Sequence, residues 1–132
     1  MIRDLAHVCF TVRSLAKSVD FYCHRLGLPK AFEFKRPDGT VFGVYLKVGP
    51  RSFIELFEGD PAAVTGGSYA HLCLEVDDVA RTVAEWRARG VEVSDPALGC
   101  DHSWQAWLAD PDGNRMELHG YTSESWQAPH LT

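Results

Sequence analysis

Four residues in this chain have side chains and spacing suited to chemistry: His7, Glu55, His71 and Glu117. They fall in matched sets. Ala6-His7-Val8-Cys9-Phe10-Thr11-Val12 returns as Ala70-His71-Leu72-Cys73-Leu74-Glu75-Val76, His on His and Cys on Cys, and Phe53-Ile54-Glu55-Leu56 is answered by Arg115-Met116-Glu117-Leu118. Self-similarity of this kind marks a structural unit used twice. Two imidazoles and two carboxylates on one face form a nitrogen and oxygen donor set that suits a divalent metal. Such a set favours Ni, Zn, Mn, Fe or Co over the all-oxygen preference of Mg and Ca. An ionised carboxylate on an enclosed face is costly unless it is paired or bound to a cation. A six-coordinate ion held this way keeps positions open for water or substrate oxygens, as Lewis-acid catalysis requires.

The elements that must position these groups are legible from periodicity. Strand side chains alternate, so Val8, Phe10 and Val12 share one face while His7, Cys9 and Thr11 share the other. The same sorting places Leu72, Leu74 and Val76 opposite His71, Cys73 and Glu75. In the closing strands, Ile54 and Leu56 oppose Phe53, Glu55 and Phe57, and Met116 and Leu118 oppose Arg115, Glu117 and His119. After each opening strand an apolar stripe, Leu15, Val19 and Tyr22 or Val79, Val83 and Trp86, has helical spacing. Ser14 and Asp78 are suitable N-caps, and Gly27 and Gly90 suit the left-handed position past each helix end. Short β-type runs follow at 30–34, 41–48 and 52–57, and again at 91–94, 104–109 and 115–119. They are separated by Pro37-Asp38-Gly39, Gly49-Pro50 and Asp110-Pro111-Asp112-Gly113-Asn114.

Each half therefore reads β-α-β-β-β. The fold class expected is α+β: paired βαβββ modules forming a curved mixed sheet, helices on the convex side and the metal site on the concave side. The repeats span about 1–60 and 68–122, joined by a Gly-, Ala- and Pro-rich linker at 58–68 and followed by a short C-terminal tail. A module this small leaves a sheet face and an edge uncovered, so the two are expected to pair as a single domain over 1–132.

Composition narrows the function classes. The chain has 132 residues, 45% hydrophobic and 23% charged, an ordinary globular balance rather than a disordered or fibrous one. Thirteen Lys and Arg against eighteen Asp and Glu give a net charge of −5, with no basic block, so no nucleic acid partner is expected. No apolar run is long enough to span a membrane, and the first residues do not resemble an export signal, so the expected location is cytoplasmic. Cys9, Cys23, Cys73 and Cys100 form no CxxC pair and are expected to be reduced, with Cys9 and Cys73 as small fillers beside the candidate ligands. No Gly-rich phosphate loop, GxSxG elbow or HExxH helix is present.

The repeated Ala-His openings, the closing Glu strands, Ser18-Val19-Asp20-Phe21-Tyr22 followed by Leu26-Gly27-Leu28, and Asp110-Pro111-Asp112-Gly113-Asn114 together resemble the vicinal oxygen chelate superfamily over nearly the whole chain. The order His, Glu, His, Glu is similar to the bacterial type of glyoxalase I. That resemblance implies that His7, Glu55, His71 and Glu117 are metal ligands, with Ni or Zn favoured and Mn, Fe or Co as alternatives. It implies that a glutamate, Glu117 or Glu55, leaves the metal to act as the base. The reaction implied is a lyase or isomerase step: a metal holding adjacent substrate oxygens acidifies the carbon between them, and the carboxylate shuttles the proton. A homodimer, in which each site can draw a ligand pair from each chain, is a further implication.

The glutathione-dependent members of that group usually carry an Arg four residues after the first ligand and an Asn four after the second. Here those positions hold Thr11 and Gly59. The expected partner is therefore a small molecule with adjacent oxygens, for which Thr11, Phe53, Phe57, Glu75, Trp104, Trp107 and His119 are candidate contacts. Trp104 and Trp107 differ in parity, so one of the two should line the cavity. Within the same superfamily, a dioxygenase or thiol transferase would resemble a set with one carboxylate, which Glu55 exceeds. A non-catalytic antibiotic-binding protein would use Phe53, Phe57 and the tryptophans.

Overall fold

The computed structural model describes residues 1, 5–64 and 67–132. Ile2-Arg3-Asp4 of the N-terminal reading and Thr65-Gly66 of the linker lie outside the described residues. The chain divides into two compact units, Met1–Gly67 and Ser68–Thr132, which correspond to the two repeats.

In the first unit, β1 (His7–Val12) leads into α1, α-helical over Leu15–Val19 and continued by a π-helical turn over Asp20–Arg25. Strands β2 (Lys30–Lys35), β3 (Val41–Lys47) and β4 (Phe53–Glu58) follow. They form a four-stranded sheet in the order β1-β4-β3-β2, with β1 parallel to β4 and the other pairs antiparallel. The second unit runs β5 (Leu72–Glu75), α2 (Val79–Ala88), β6 (Ala97–Leu98), β7 (Trp104–Ala109) and β8 (Arg115–Gly120). Its order is β5-β8-β7-β6, again with the first and last strands parallel. The architecture is thus α+β, one mixed sheet per repeat.

Local chemistry explains the helix limits. Ser14 Oγ accepts from Lys17 N at 3.2 Å and Asp78 Oδ1 from Arg81 N at 2.9 Å, each satisfying an amide that the first turn would leave orphaned. Gly27 and Gly90 adopt φ of 86° and 81° just past the helices, a conformation open to glycine without a Cβ penalty. The π-turn ends α1 with Leu26 N donating to Phe21 O at 2.9 Å. Its wider winding lets the consecutive residues Phe21 and Tyr22 both face the core, where both are buried.

The parity sorting holds for the packed faces. Phe10, Val12, Ile54 and Leu56 are buried in the first unit with Leu15, Tyr22, Val44 and Leu46; Met116 and Leu118 are buried in the second with Val79, Val83, Trp86 and Leu108. One expected strand is absent: residues 91–94 make no ladder, and the edge strand is the shorter Ala97–Leu98. Ser94 N still donates to Trp107 O at 2.9 Å, but Trp107 N donates to the Ser94 hydroxyl at 2.8 Å instead of to a carbonyl. That side chain replaces the ladder bond, and Pro96, which lacks an N–H, lies just beyond.

The C-terminal tail is not loose. Gln127 Nε2 donates to Asp101 Oδ2 at 2.7 Å, Ser103 Oγ to Ser125 Oγ at 2.8 Å, and Thr122 Oγ1 to the His102 carbonyl at 2.8 Å. These bonds pin the tail to the loop before β7.

Candidate metal centre

In the first unit, β1 and β4 lie side by side in parallel with Cys9 opposite Glu55, so His7 at the strand start and Glu55 on its neighbour project from the same face. His7 Nε2 lies 3.8 Å from Glu55 Oε1. The other ring nitrogen, Nδ1, is 3.0 Å from the Tyr45 hydroxyl, and the two rings meet edge to face. A partner at Nδ1 fixes the ring and leaves Nε2 aimed at the carboxylate, the arrangement that orients a metal-binding histidine.

The second unit repeats the register, with Cys73 opposite Glu117. His71 Nε2 lies 3.1 Å from Glu117 Oε2. Glu117 is only 8% exposed, and its other oxygen, Oε1, is 3.2 Å from His119 Nδ1. His119 Nε2 is in turn 3.7 Å from Asp101 Oδ2 and makes no hydrogen bond. The Gln127 amide, followed by the Ser103 backbone N–H, holds the Asp101 carboxyl below its usual range.

Among the described residues, no Lys or Arg pairs with Glu55 or Glu117, and both carboxylates have only histidine partners among ionisable cations. A largely buried carboxylate without a permanent counter-charge, facing imidazole nitrogen, is the environment that a divalent cation satisfies. Each unit therefore offers one His and one Glu whose nitrogen and oxygen donors fit a divalent cation.

The other sequence candidates separate by face. Phe53 stacks on Tyr45 with ring centroids 4.8 Å apart, and Tyr45 stacks on Phe32 at 4.7 Å, forming an aromatic row beside Glu55. Phe57 stacks on Phe42 at 5.8 Å. Trp107 is on the His71 face, edge to face with that ring at 4.8 Å and carrying the Arg115 guanidinium 4.0 Å over its own ring. Trp104 is on the opposite face, 45% exposed, lining a cavity with Asp77, Asp78 and Val79 at the start of α2. Parity shows why: it shares the phase of the buried Ala106 and Leu108. Glu75 is exposed at the end of β5, opposite His119 in register. Thr11 pairs with Phe57, and its Cγ2 lies 3.1 Å from where a Cβ on Gly59 would stand, so a larger residue at position 59 would have to displace it.

Cys9 and Cys73 differ from the expected apolar fillers. Both are exposed residues whose thiols lie against the glutamates, and all four cysteines are free. Burial of the sulfur, then a hydrogen bond to Glu55 and its charge, pushes Cys9 up to about 11. Burial, then the charge and hydrogen bond of Glu117, with Asp101 and Glu75 adding to the field, pushes Cys73 up to about 12. The sequence reading named His119 as a contact but missed its bond to Glu117 and the supporting pair Asp101 and Gln127. His119 two residues after a ligand glutamate was the available signal; nothing local pointed to Gln127.

Residues 4–118 match the Glyoxalase/Bleomycin resistance protein/Dioxygenase superfamily, and the chain belongs to it. It is 31% identical over 121 residues to a probable lactoylglutathione lyase of Synechocystis sp., covering 86% of this chain and 92% of that protein. It is 29% identical over 124 residues to a probable chloroplastic lactoylglutathione lyase of Arabidopsis thaliana, spanning 88% of this chain but only 35% of that longer protein. Among solved structures, TnmS3, an antibiotic binding protein from Streptomyces sp. CB03234, matches with a TM-score of 0.76 and 26% identity, over 92% of this chain and 98% of that one. No helix among the described residues is long and apolar enough to cross a membrane.

Proposed function

We propose that the chain is a metal-dependent lyase or isomerase of glyoxalase type, acting in the cytoplasm as a homodimer on a small molecule with adjacent oxygens. The observation that carries this reading is the pairing of an imidazole with a glutamate at matching places in both repeats, neither glutamate having a Lys or Arg partner among the described residues. His7, Glu55, His71 and Glu117 would hold one divalent ion, Ni or Zn by the resemblance to glyoxalase I and Mn, Fe or Co as alternatives, the two repeats working as one domain. When bound, the ion polarises adjacent substrate oxygens and acidifies the hydrogen on the carbon between them.

The proton then needs a carboxylate. Glu117 is the better placed of the two, because burial excludes competing water and its Oε1 is oriented by His119. Glu55, less enclosed, is the second candidate. Thr11 and Gly59 leave no charged clamp at the glutathione positions, so the thiol of the substrate need not be glutathione. The names of the lyase relatives support the reaction class.

Elemental analysis of the purified chain, with and without chelator, tests this directly. One ion per chain is expected, with isomerisation of methylglyoxal–thiol adducts lost on chelation and restored by Ni or Zn. Failure of every added divalent metal to bind would overturn the reading. A second reading, sequestration of a planar ligand, is favoured by the stacked row Phe32, Tyr45 and Phe53 and by the likeness to TnmS3. Quenching of Trp and Tyr fluorescence by a planar antibiotic, with no turnover of any adduct, would decide for it.

A further inference from the structure

We infer that the second unit carries by itself a three-donor site for a thiophilic divalent cation, built from Cys73, Glu117 and His119. The Cys73 sulfur, a Glu117 carboxylate oxygen and a His119 ring nitrogen all lie within 4.8 Å of one another. A tetrahedral zinc site with bonds of roughly 2.0–2.3 Å separates its donors by roughly 3.3–3.8 Å, so rotamer adjustments of about 1 Å close the set. The three residues are on adjacent strands, Cys73 opposite Glu117 in register and His119 one pleat further along β8, so the backbone already brings them to one face.

The two ring nitrogens of His119 have different surroundings. His119 Nε2 is buried without a hydrogen bond and faces Asp101 Oδ2 at 3.7 Å, while Nδ1 turns inward to Glu117 at 3.2 Å. Nδ1 is therefore the ring nitrogen directed at the Cys73 and Glu117 side, with the Asp101 carboxylate on the far side of the ring. Asp101 is itself held by Gln127 Nε2 at 2.7 Å and Ser103 N at 3.1 Å, so the C-terminal tail supports the ring. On binding, the thiol proton passes to solvent and the thiolate becomes the ligand, so uptake is coupled to proton release.

At the matching register the first unit has no donor: Phe57 stands opposite Thr11 where His119 stands opposite Glu75. The site shares Glu117 with the histidine and glutamate set proposed above. A zinc or cadmium ion there would withdraw the carboxylate assigned as base; that inhibitory consequence alone rests on the proposed function.

Titration of the chelator-treated full chain with Co(II) tests the site. A sulfur-to-cobalt charge-transfer band in the near ultraviolet is expected in the wild type and in His7→Ala and Cys9→Ser. Its loss is expected in Cys73→Ser and in His119→Ala, with far-ultraviolet circular dichroism confirming that both variants fold. No band in the wild type, or a band that survives Cys73→Ser, would overturn the inference. Turnover is read separately in the Ni- or Zn-loaded protein: inactivity with the band present defeats the lyase reading while leaving this site standing.

Discussion

The two repeats share a backbone plan and fill it differently. Tyr45 and Trp107 hold the same register against Glu55 and Glu117, yet only Tyr45 supplies a hydroxyl to its histidine. Phe57 and His119 also correspond: the first packs into an aromatic cluster, the second bonds to a carboxylate. Opposite them, Gly43 faces Phe57 and Gln105 faces His119. The glycine belongs with the phenylalanine, because a Cβ at position 43 would stand 2.4 Å from Phe57 Cδ1. One repeat thus offers stacking surface around a half-exposed His–Glu pair, and the other a polar row running from the exposed His71 through the buried Glu117 to the half-buried His119, Asp101 and Gln127. Duplication keeps register, which the backbone sets, and frees side chains to diverge.

The largest expected break in this comparison is catalytic. Glu117→Gln should lower kcat by about 10²–10⁴, the usual worth of a positioned general base. Glu55→Gln, in the more open unit, should lower it less and weaken metal retention. Steady-state kinetics with metal content measured on each variant checks the order, and equal losses would make the two carboxylates equivalent.

Packing gives the next effect. Gly43→Ala should cost about 1–3 kcal/mol by urea unfolding, because the added methyl meets both Phe57 and the Leu56 carbonyl. Gln105→Ala, at the matching position, should cost less. Combining Gly43→Ala with Phe57→Ala should be less destabilising than the sum of the singles, a coupling of at least about 0.5 kcal/mol.

Helix starts differ more finely. Leu15 N in α1 donates to Glu58 Oε2 at 3.2 Å in addition to the Ser14 cap, whereas among the described contacts α2 has the Asp78 side chain. Asp78→Ala should therefore cost about 1 kcal/mol and Ser14→Ala less, also because a charged cap gains from the helix dipole. Equal shifts in unfolding midpoint would remove that distinction.

The smallest effect is in the thiols. With Cys73 pushed up to about 12 and Cys9 to about 11, both should resist alkylation at pH 8, Cys73 the more strongly, as read by mass spectrometry of the intact chain. The unfolded thiols ionise near 9.0 while the folded ones keep their protons, so the unfolded state binds fewer protons above that pH. Stability should accordingly fall as pH rises from about 9 toward 12, and Cys73→Ser should flatten the fall.

Much of the fold was readable because it is local. Apolar spacing announced both helices, Ser14 and Asp78 their starts, Gly27 and Gly90 their ends, and alternation with turn residues every strand but the two-residue β6. The expected strand at 91–94 failed because a serine hydroxyl took over a ladder bond, a substitution of side chain for backbone that no pattern displays. Parity placed His7, Glu55, His71 and Glu117 on the faces turned from the helices. It left Trp104 and Trp107 undecided between faces, and the sheet register assigned Trp107 to the His71 face.

By itself, then, the sequence determined the doubling, the α+β plan and which side chains of a strand share a face, since alternation and helical period are properties of the chain over a few residues. Only the tertiary structure decided that Glu117 is bonded to His119, that Asp101 stands behind that ring, and that Gln127 at the end of the chain holds Asp101 in place. Those partners come from a strand, a loop and a tail, and a hydrogen bond between them depends on ångström-scale positions that folding sets and spacing along the chain does not encode.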